Sequence, residues 1–390
     1  MPIETRKIPV ILFMDPRGVI LEGGKDVIQR MQSYASALSK ISKDKKIKMV
    51  ILSSSSKKKV KKIDGNSFSL VNISEPTFNF IKFAMKSRKH LRQENWDVKI
   101  LIGGDPWESF WAALFLNFLQ RSSAPVQVQV HGDIASHNWK RINRRNRIRF
   151  HLSRYALLRA GSIRTVSKGQ TKQLIAQFNL TNEKFVVVPV PILELEKIPI
   201  SRNRRPNSIA IIGRVHEDRG IWNFIDLIKS LSSIRDDFRV IIVGSGSSTR
   251  EFLTQVSSCI PSDRYNYLGV LDQIGLRKVW RSVGVLVSTA PAESYGRVMR
   301  EALVAGVPVW AMKSSGVEDL ISQVGKDAVK ILDLTKSNHE LSKEFDQLLQ
   351  SKVSLSFRKQ FIEDNSTYAQ LLAKSWVDLI NKQDKQSSLT

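Results

Sequence analysis

Two glutamates, Glu293 and Glu301, flank the stretch SYGRVMR in ESYGRVMRE, with Gly296 and Arg297 between them. Eight positions at about 100° each end about 80° past two full turns, so on a helix both carboxylates can face a common side. Carboxylates accept hydrogen bonds from hydroxyl groups. The free N–H groups of a helix's first turn suit a phosphate, and a glycine there removes the side chain that would block approach. An anion site between two hydroxyl-accepting carboxylates describes a nucleotide sugar. Taken alone, the stretch could equally be an amphipathic helix with two solvated glutamates. A second group bears on it. The segment GRVHEDRG (213–220) sets Arg214 and Arg219 five residues apart, and guanidinium groups grip phosphate oxygens bidentately at any working pH. The segment VGSG (243–246) adds only a G-x-G with Gly244; no third glycine completes a dinucleotide fingerprint.

These residues need a frame. Strand candidates in the first half are residues 8–14, 46–54, 98–104, 124–132, 162–166 and 186–192, short apolar runs of the kind buried in parallel sheets. Helical patterns fall at 25–40, 108–121, 138–160 and 168–178. A polar, proline-containing linker is expected at 193–206. Alternation then restarts with strands near 208–215, 238–246, 265–270, 284–290 and 307–312. Helices are expected near 220–233, 249–258 and 273–282, then one from Tyr295 or Gly296, with weaker helices running to the C-terminus. Gly306 sits where a left-handed helix cap belongs, with Pro308 just beyond. The pattern predicts an α/β protein of two doubly wound, Rossmann-like domains, 1–197 and 198–390, the last helix (about 366–384) crossing back to the first. In such sheets ligands bind outside the carboxyl ends of the strands, where GRVHEDRG and PAES lie.

Composition narrows the class. The chain has 390 residues, is 42% hydrophobic and 25% charged, and so reads as globular rather than disordered. No apolar run is long enough for a membrane span, and the N-terminal apolar piece PVILFM, broken by Asp15, does not read as a signal peptide. A single cysteine, Cys259, excludes an intramolecular disulfide, and a cytoplasmic setting is expected. Net charge is +25, and it is uneven: residues 1–190 hold 34 basic and 13 acidic side chains, giving +21, against +4 in the remainder. The first half should therefore attract a polyanion or an anionic bilayer.

From IIGRVHEDRG through VIIVGSG and YLGV to VSTAPAESYGRVMREALVAGVPVWA, nearly the whole second half resembles the retaining glycosyltransferases of GT-B fold, glycosyltransferase family 4. The resemblance implies two Rossmann-like domains facing a central cleft, and a nucleoside diphosphate sugar as co-substrate with no resident cofactor or metal. It implies that Glu301 holds the ribose hydroxyls and Glu293 sits against the transferred sugar. Arg214 and Arg219 would neutralise the diphosphate, the latter standing where lysine is usual. Ser294, Tyr295, Gly296, Arg297, Val298, Gly213 and Gly244 would line the donor, with Arg297 standing where an apolar residue is more usual. In the first half, EGGKDVIQRMQSYASAL is similar to the family's glycine loop and helix, so Gly23 and Gly24 are expected at the diphosphate or acceptor. The segment VQVHGD offers His131 toward the sugar, and Asp133 beside it; Ser167 reads as a helix cap.

The stretch 137–159 carries seven arginines and one lysine with Trp139, Ile142, Ile148, Phe150 and Leu152 interleaved, and lysine clusters lie at 43–48 and 57–62. Basic amphipathic segments of this kind lie on anionic membranes. The expected activity is sugar transfer to an acceptor hydroxyl, a lipid-linked or polysaccharide-precursor glycan, by an enzyme peripheral to the inner membrane face. No acidic pair of DxD type and no obvious covalent nucleophile accompanies the donor motifs, and no nucleic-acid module accompanies the charge. The rival readings are an inverting transferase or sugar-nucleotide epimerase of the same fold, and a non-catalytic scaffold that binds membrane or polyanion.

Overall fold

The computed structural model describes residues 7–42, 45–56, 62–200 and 207–387. Residues 43–44 and 57–61 of the lysine clusters and residues 201–206 of the expected linker lie outside that set. Contacts group the described residues into two units. One draws on Met1–His131, Asn143–Leu193 and Ser366–Thr390, the other on Gly132–Ile142 and Glu194–Asn365.

The chain begins β1 (Ile8–Asp15), α1 (Gly24–Ile41), β2 (Lys48–Ser54), β3 (Lys62–Asp64), β4 (Phe68–Ser74), α2 (Phe80–Gln93), β5 (Trp96–Gly103), α3 (Glu108–Gln120) and β6 (Val126–Gln129). It continues through α4 (His137–Arg141, part of the second unit), α5 (Arg144–Arg159), β7 (Ser162–Thr165), α6 (Lys168–Phe178) and β8 (Phe185–Val187). The strands form one sheet in the order β3-β4-β2-β1-β5-β6-β7-β8, parallel except for the β3–β4 pair. Val10 to Met14 and Met49 to Leu52 are buried without a break, because helices cover both faces of a parallel sheet.

The second unit runs β9 (Ser208–Ile212), α7 (Ile221–Ser232), β10 (Arg239–Val243), α8 (Thr249–Cys259), β11 (Tyr265–Tyr267), α9 (Gln273–Val279) and β12 (Val285–Ser288). It closes with α10 (Arg297–Val304), β13 (Val309–Ala311), α11 (Ser315–Val324), β14 (Val329–Ile331), α12 (Asn338–Gln350) and the start of α13 (Leu355–Ser387). Its sheet is parallel throughout, in the order β11-β10-β9-β12-β13-β14. Ile209, Val240, Ile242, Phe224, Phe252 and Trp310 lie in its core.

From Ser366 onward α13 belongs to the first unit, and the reason is visible in its spacing. Tyr368, Leu372, Trp376 and Ile380 recur every four residues and enter the first sheet's core. Trp376 meets Phe13 and Tyr34 edge-on at 5.5 and 6.3 Å and donates its indole N–H to Gln127 Oε1 at 2.8 Å. Both sheets reverse direction once. In the second the reversal falls between β9 and β12, in the first between β1 and β5, and these carboxyl ends are where such sheets bind ligands.

Candidate active site

At the second unit's reversal point two loops meet. The loop after β9 opens at Gly213, then presents Arg214, which is exposed and donates to the Asp218 carboxylate at 3.1 and 3.4 Å. Gly244, at the end of β10, has φ +120°, and a Cβ there would lie 1.8 Å from the Gly213 carbonyl oxygen. No other residue fits, so Gly244 acts by letting β10 press against the arginine loop. Arg219 closes that loop and reaches across to the loop after β12. Its Nη2 donates to Glu293 Oε2 at 3.0 Å. The arginine and glutamate therefore form one ion pair that ties the two loops together.

Glu293 holds a second partner, accepting the Gly296 N–H on Oε1 at 3.2 Å, while its carbonyl accepts the Gly316 N–H at 2.8 Å. Gly296 has φ +71°, a left-handed conformation that cannot continue a right-handed helix, so α10 starts at Arg297 rather than at Tyr295 or Gly296. The glycine is thus required by backbone conformation as well as by space. Ser294 and Tyr295 are buried, Arg297 is exposed, and Val298 is half-buried. Glu301, one turn further in, is 4% exposed, and among the described residues no hydrogen bond or ion pair reaches its carboxylate. Burial pushes it up to about 7, against the opposing pull of the Arg297 charge. At C′, Gly306 takes φ +80° and closes the helix.

Arg300 was not singled out by its sequence, yet it organises this loop. Its guanidinium is 1% exposed, lies over the Tyr295 ring at 3.8 Å, donates to the Tyr295 carbonyl and pairs with Asp319 at 3.0 Å. Asp319 also accepts from Gln323 at 2.8 Å. The one signal available was a charged residue beside the buried positions Met299, Ala302 and Leu303. On the same helix α11, Ser315 donates its hydroxyl to Asp133 at 2.8 Å. Asp133 therefore groups with the second unit. Burial raises its carboxyl to about 6; the Ser315 bonds lower it and the Glu293 and Glu318 charges add to the rise.

The first unit holds the remaining candidates. Gly23 caps α1 and Gly24 opens it, both exposed, in the loop after β1. The Asp15 carboxylate braces that loop, accepting from the Val19 and Ile20 N–H groups at 3.0 and 2.8 Å and from Ser53 at 2.6 Å. His131 is exposed just beyond β6, its Nε2 3.1 Å from Gln129 Oε1. The same oxygen accepts from buried Arg164 at 3.1 Å. Desolvation of the ring, then the charges of Arg164 and Arg30, shifts the imidazole well below its ordinary range. Ser167 caps α6, accepting the Gln170 N–H.

Residues 194–367 match the family model described as Glycosyl transferases group 1. The 2-deoxystreptamine glucosyltransferase of Streptomyces kanamyceticus is 25% identical over 186 residues, 44% of this chain and 48% of its own length. The chain thus spans about half the length of that relative. Among solved structures, Anabaena HepE in complex with UDP and glucose has a TM-score of 0.59 at 15% identity, covering 98% of this chain and 100% of its own. The sucrose-phosphate synthase of Thermosynechococcus elongatus has a TM-score of 0.65 at 14% identity, covering 96% and 94%. At these identities the structural likeness is one of fold. The chain has the GT-B fold, two Rossmann-like units, and the match to group 1 glycosyl transferases lies in the second of them.

Proposed function

We propose that this protein is a retaining glycosyltransferase of family 4, transferring a sugar from a nucleoside diphosphate sugar to an acceptor hydroxyl. The observation that carries this reading is Glu301. A buried carboxylate that takes no hydrogen bond or ion pair among the described residues stands one turn inside a helix that follows the loop held by Arg219. Glu301 would accept the ribose hydroxyls. Arg214, Arg219 and the first-turn N–H groups of α10 would hold the diphosphate, which is the group that gains charge as it leaves. Glu293, fixed by Arg219 and Gly296, would accept from the sugar, and His131 is proposed as a further hydrogen-bonding group for it. Ser294, Tyr295, Arg297 and Val298 complete the donor's lining, while Gly23 and Gly24 serve the acceptor side.

The anomeric bond to the diphosphate breaks and a bond to the acceptor oxygen forms on the same face. The acceptor's proton passes to a phosphate oxygen of the departing group. No step in this scheme draws on a cofactor or metal. The match to group 1 glycosyl transferases and the UDP and glucose bound by the Anabaena relative in fold support the donor class. The basic first unit supports an acceptor held at an anionic membrane, a lipid-linked or polysaccharide-precursor glycan. Among the described residues no helix is long and apolar enough to cross a membrane.

Replacement of Glu301 is the test. Two hydrogen bonds to a charged acceptor contribute about 1.5–3 kcal/mol each. Glu301→Ala should weaken UDP binding by at least about tenfold in calorimetry and abolish transfer, with the fold retained. Wild-type binding and turnover in that variant would end the enzyme reading. Anomeric analysis of the product distinguishes retention from inversion or epimerisation.

A further inference from the structure

The structure places an exposed apolar patch on the first unit outside the basic stretch 137–159. Phe78, Ile81 and Met85 are 62%, 44% and 58% exposed, and Phe118 is 75% exposed. Ile81 and Met85 are one turn apart on α2, whose opposite face buries Phe83, Ala84 and Leu91. An aromatic ladder underlies the patch and joins α2 to α3. Phe80 meets Trp111 at 6.5 Å and Phe115 at 6.4 Å, and Phe115 stacks on Phe118 at 5.9 Å. Large aromatic and aliphatic groups left together in water mark an interaction surface.

The charge beside them says what covers it. Helix α2 carries Lys82, Lys86, Arg88, Lys89 and Arg92 and not one acidic residue. Lys82, Lys86 and Lys89 are exposed, and among the described residues none of the three makes an ion pair. The Arg145 guanidinium lies 4.5 Å over the Phe78 ring, which joins the patch to α5. There Ile148, Leu152 and Tyr155 are exposed as well, among further arginines. A second copy of the chain docked on this face would bring lysine against lysine. Nucleic acid would meet the charge but leave Ile81 and Met85 with no partner. An anionic bilayer satisfies both: acyl chains receive the apolar tips while the lysine stems lie along them with ammonium groups among the phosphates.

We propose that the α2–α3 patch of Phe78, Ile81, Met85 and Phe118, rimmed by Lys82, Lys86 and Lys89, is the element that seats this protein in an anionic lipid surface. This rests on the membrane-acceptor reading above and assigns it a contact. The full chain is sedimented with vesicles of phosphatidylcholine and phosphatidylglycerol, and with phosphatidylcholine alone. Wild type should partition onto the anionic vesicles at least tenfold more strongly, and less so as salt rises. The variant I81S/M85S/F118S should lose at least tenfold of that partition while its UDP-induced thermal shift stays unchanged, which shows that it is folded. K82Q/K86Q/K89Q should flatten the salt dependence. If wild type does not bind anionic vesicles, the membrane reading itself falls, and the patch with it. If wild type binds and the apolar variant binds equally, while I148S/L152S does not, α5 is the contact and only the patch assignment is overturned. A dimer in gel filtration that the apolar variant dissolves would overturn it in favour of a second copy.

Discussion

Glu301 and Glu293 look alike in the sequence and differ in their surroundings. Glu293 spends its two oxygens on Arg219 and the Gly296 N–H, whereas Glu301 is buried with no hydrogen bond or ion pair among the described residues. The difference has a measurable consequence. An acid whose folded pKa is raised binds its proton more tightly folded than unfolded, so the stability it permits is complete below the unfolded value, near 4.5, and is lost as pH rises through about 7. The ligand-free protein should therefore lose stability between those values, by at most about 3 kcal/mol. Glu301→Gln should remove that slope in melting temperatures recorded against pH. UDP affinity should move the other way, rising through pH 7 as the carboxylate ionises and accepts the ribose hydroxyls. Gly296 shows the same limit of sequence. Its type was legible, but its left-handed φ, which delays the helix to Arg297, was not.

At the scale of elements, α10 is held by its neighbour α11. Arg300 and Asp319 connect α10 to α11 through a buried ion pair, and the same guanidinium grips the Tyr295 carbonyl of the donor loop. Removing one partner of a buried pair costs about 3–5 kcal/mol, because a charge is left without compensation. Asp319→Ala should lower stability by that amount in urea unfolding. The double variant R300M/D319L should recover much of it yet keep a raised donor KM, since Tyr295 has lost its donor and the loop its position. A recovered KM would make the pair purely structural. Among elements, the strands at the two reversal points were legible because a parallel sheet buries both faces and leaves unbroken apolar runs. The segment β3-β4-α2 was not. Phe68–Ser74 mixes Ser and Asn into an outer strand, and Phe80–Gln93 hides its apolar face among lysines and arginines.

For the whole molecule, the charge asymmetry and the C-terminal helix matter most. The +21 of residues 1–190 was countable from composition, but its relation to an apolar surface was not. Phe118 on α3 is far in sequence from Phe78, Ile81 and Met85, and only the packing of α2 on α3 puts them together. Helix α13 returns from the end of the chain to place Trp376, fully buried, in the first sheet's core. Trp376→Ala leaves a cavity and strips the indole donor from Gln127 Oε1, and should cost about 3–5 kcal/mol. Hydrogen exchange should report the loss in β1 and α1, with the second unit's core protection retained. By itself the sequence determined the chemistry available and the alternation of elements, because residue type, spacing and hydrophobic period act locally. Tertiary structure alone decided which carboxylate is paired and which is bare, that Asp133 joins Ser315, and that Arg300 lies beneath the loop. Those outcomes depend on burial and on contacts between distant segments, which no local pattern encodes.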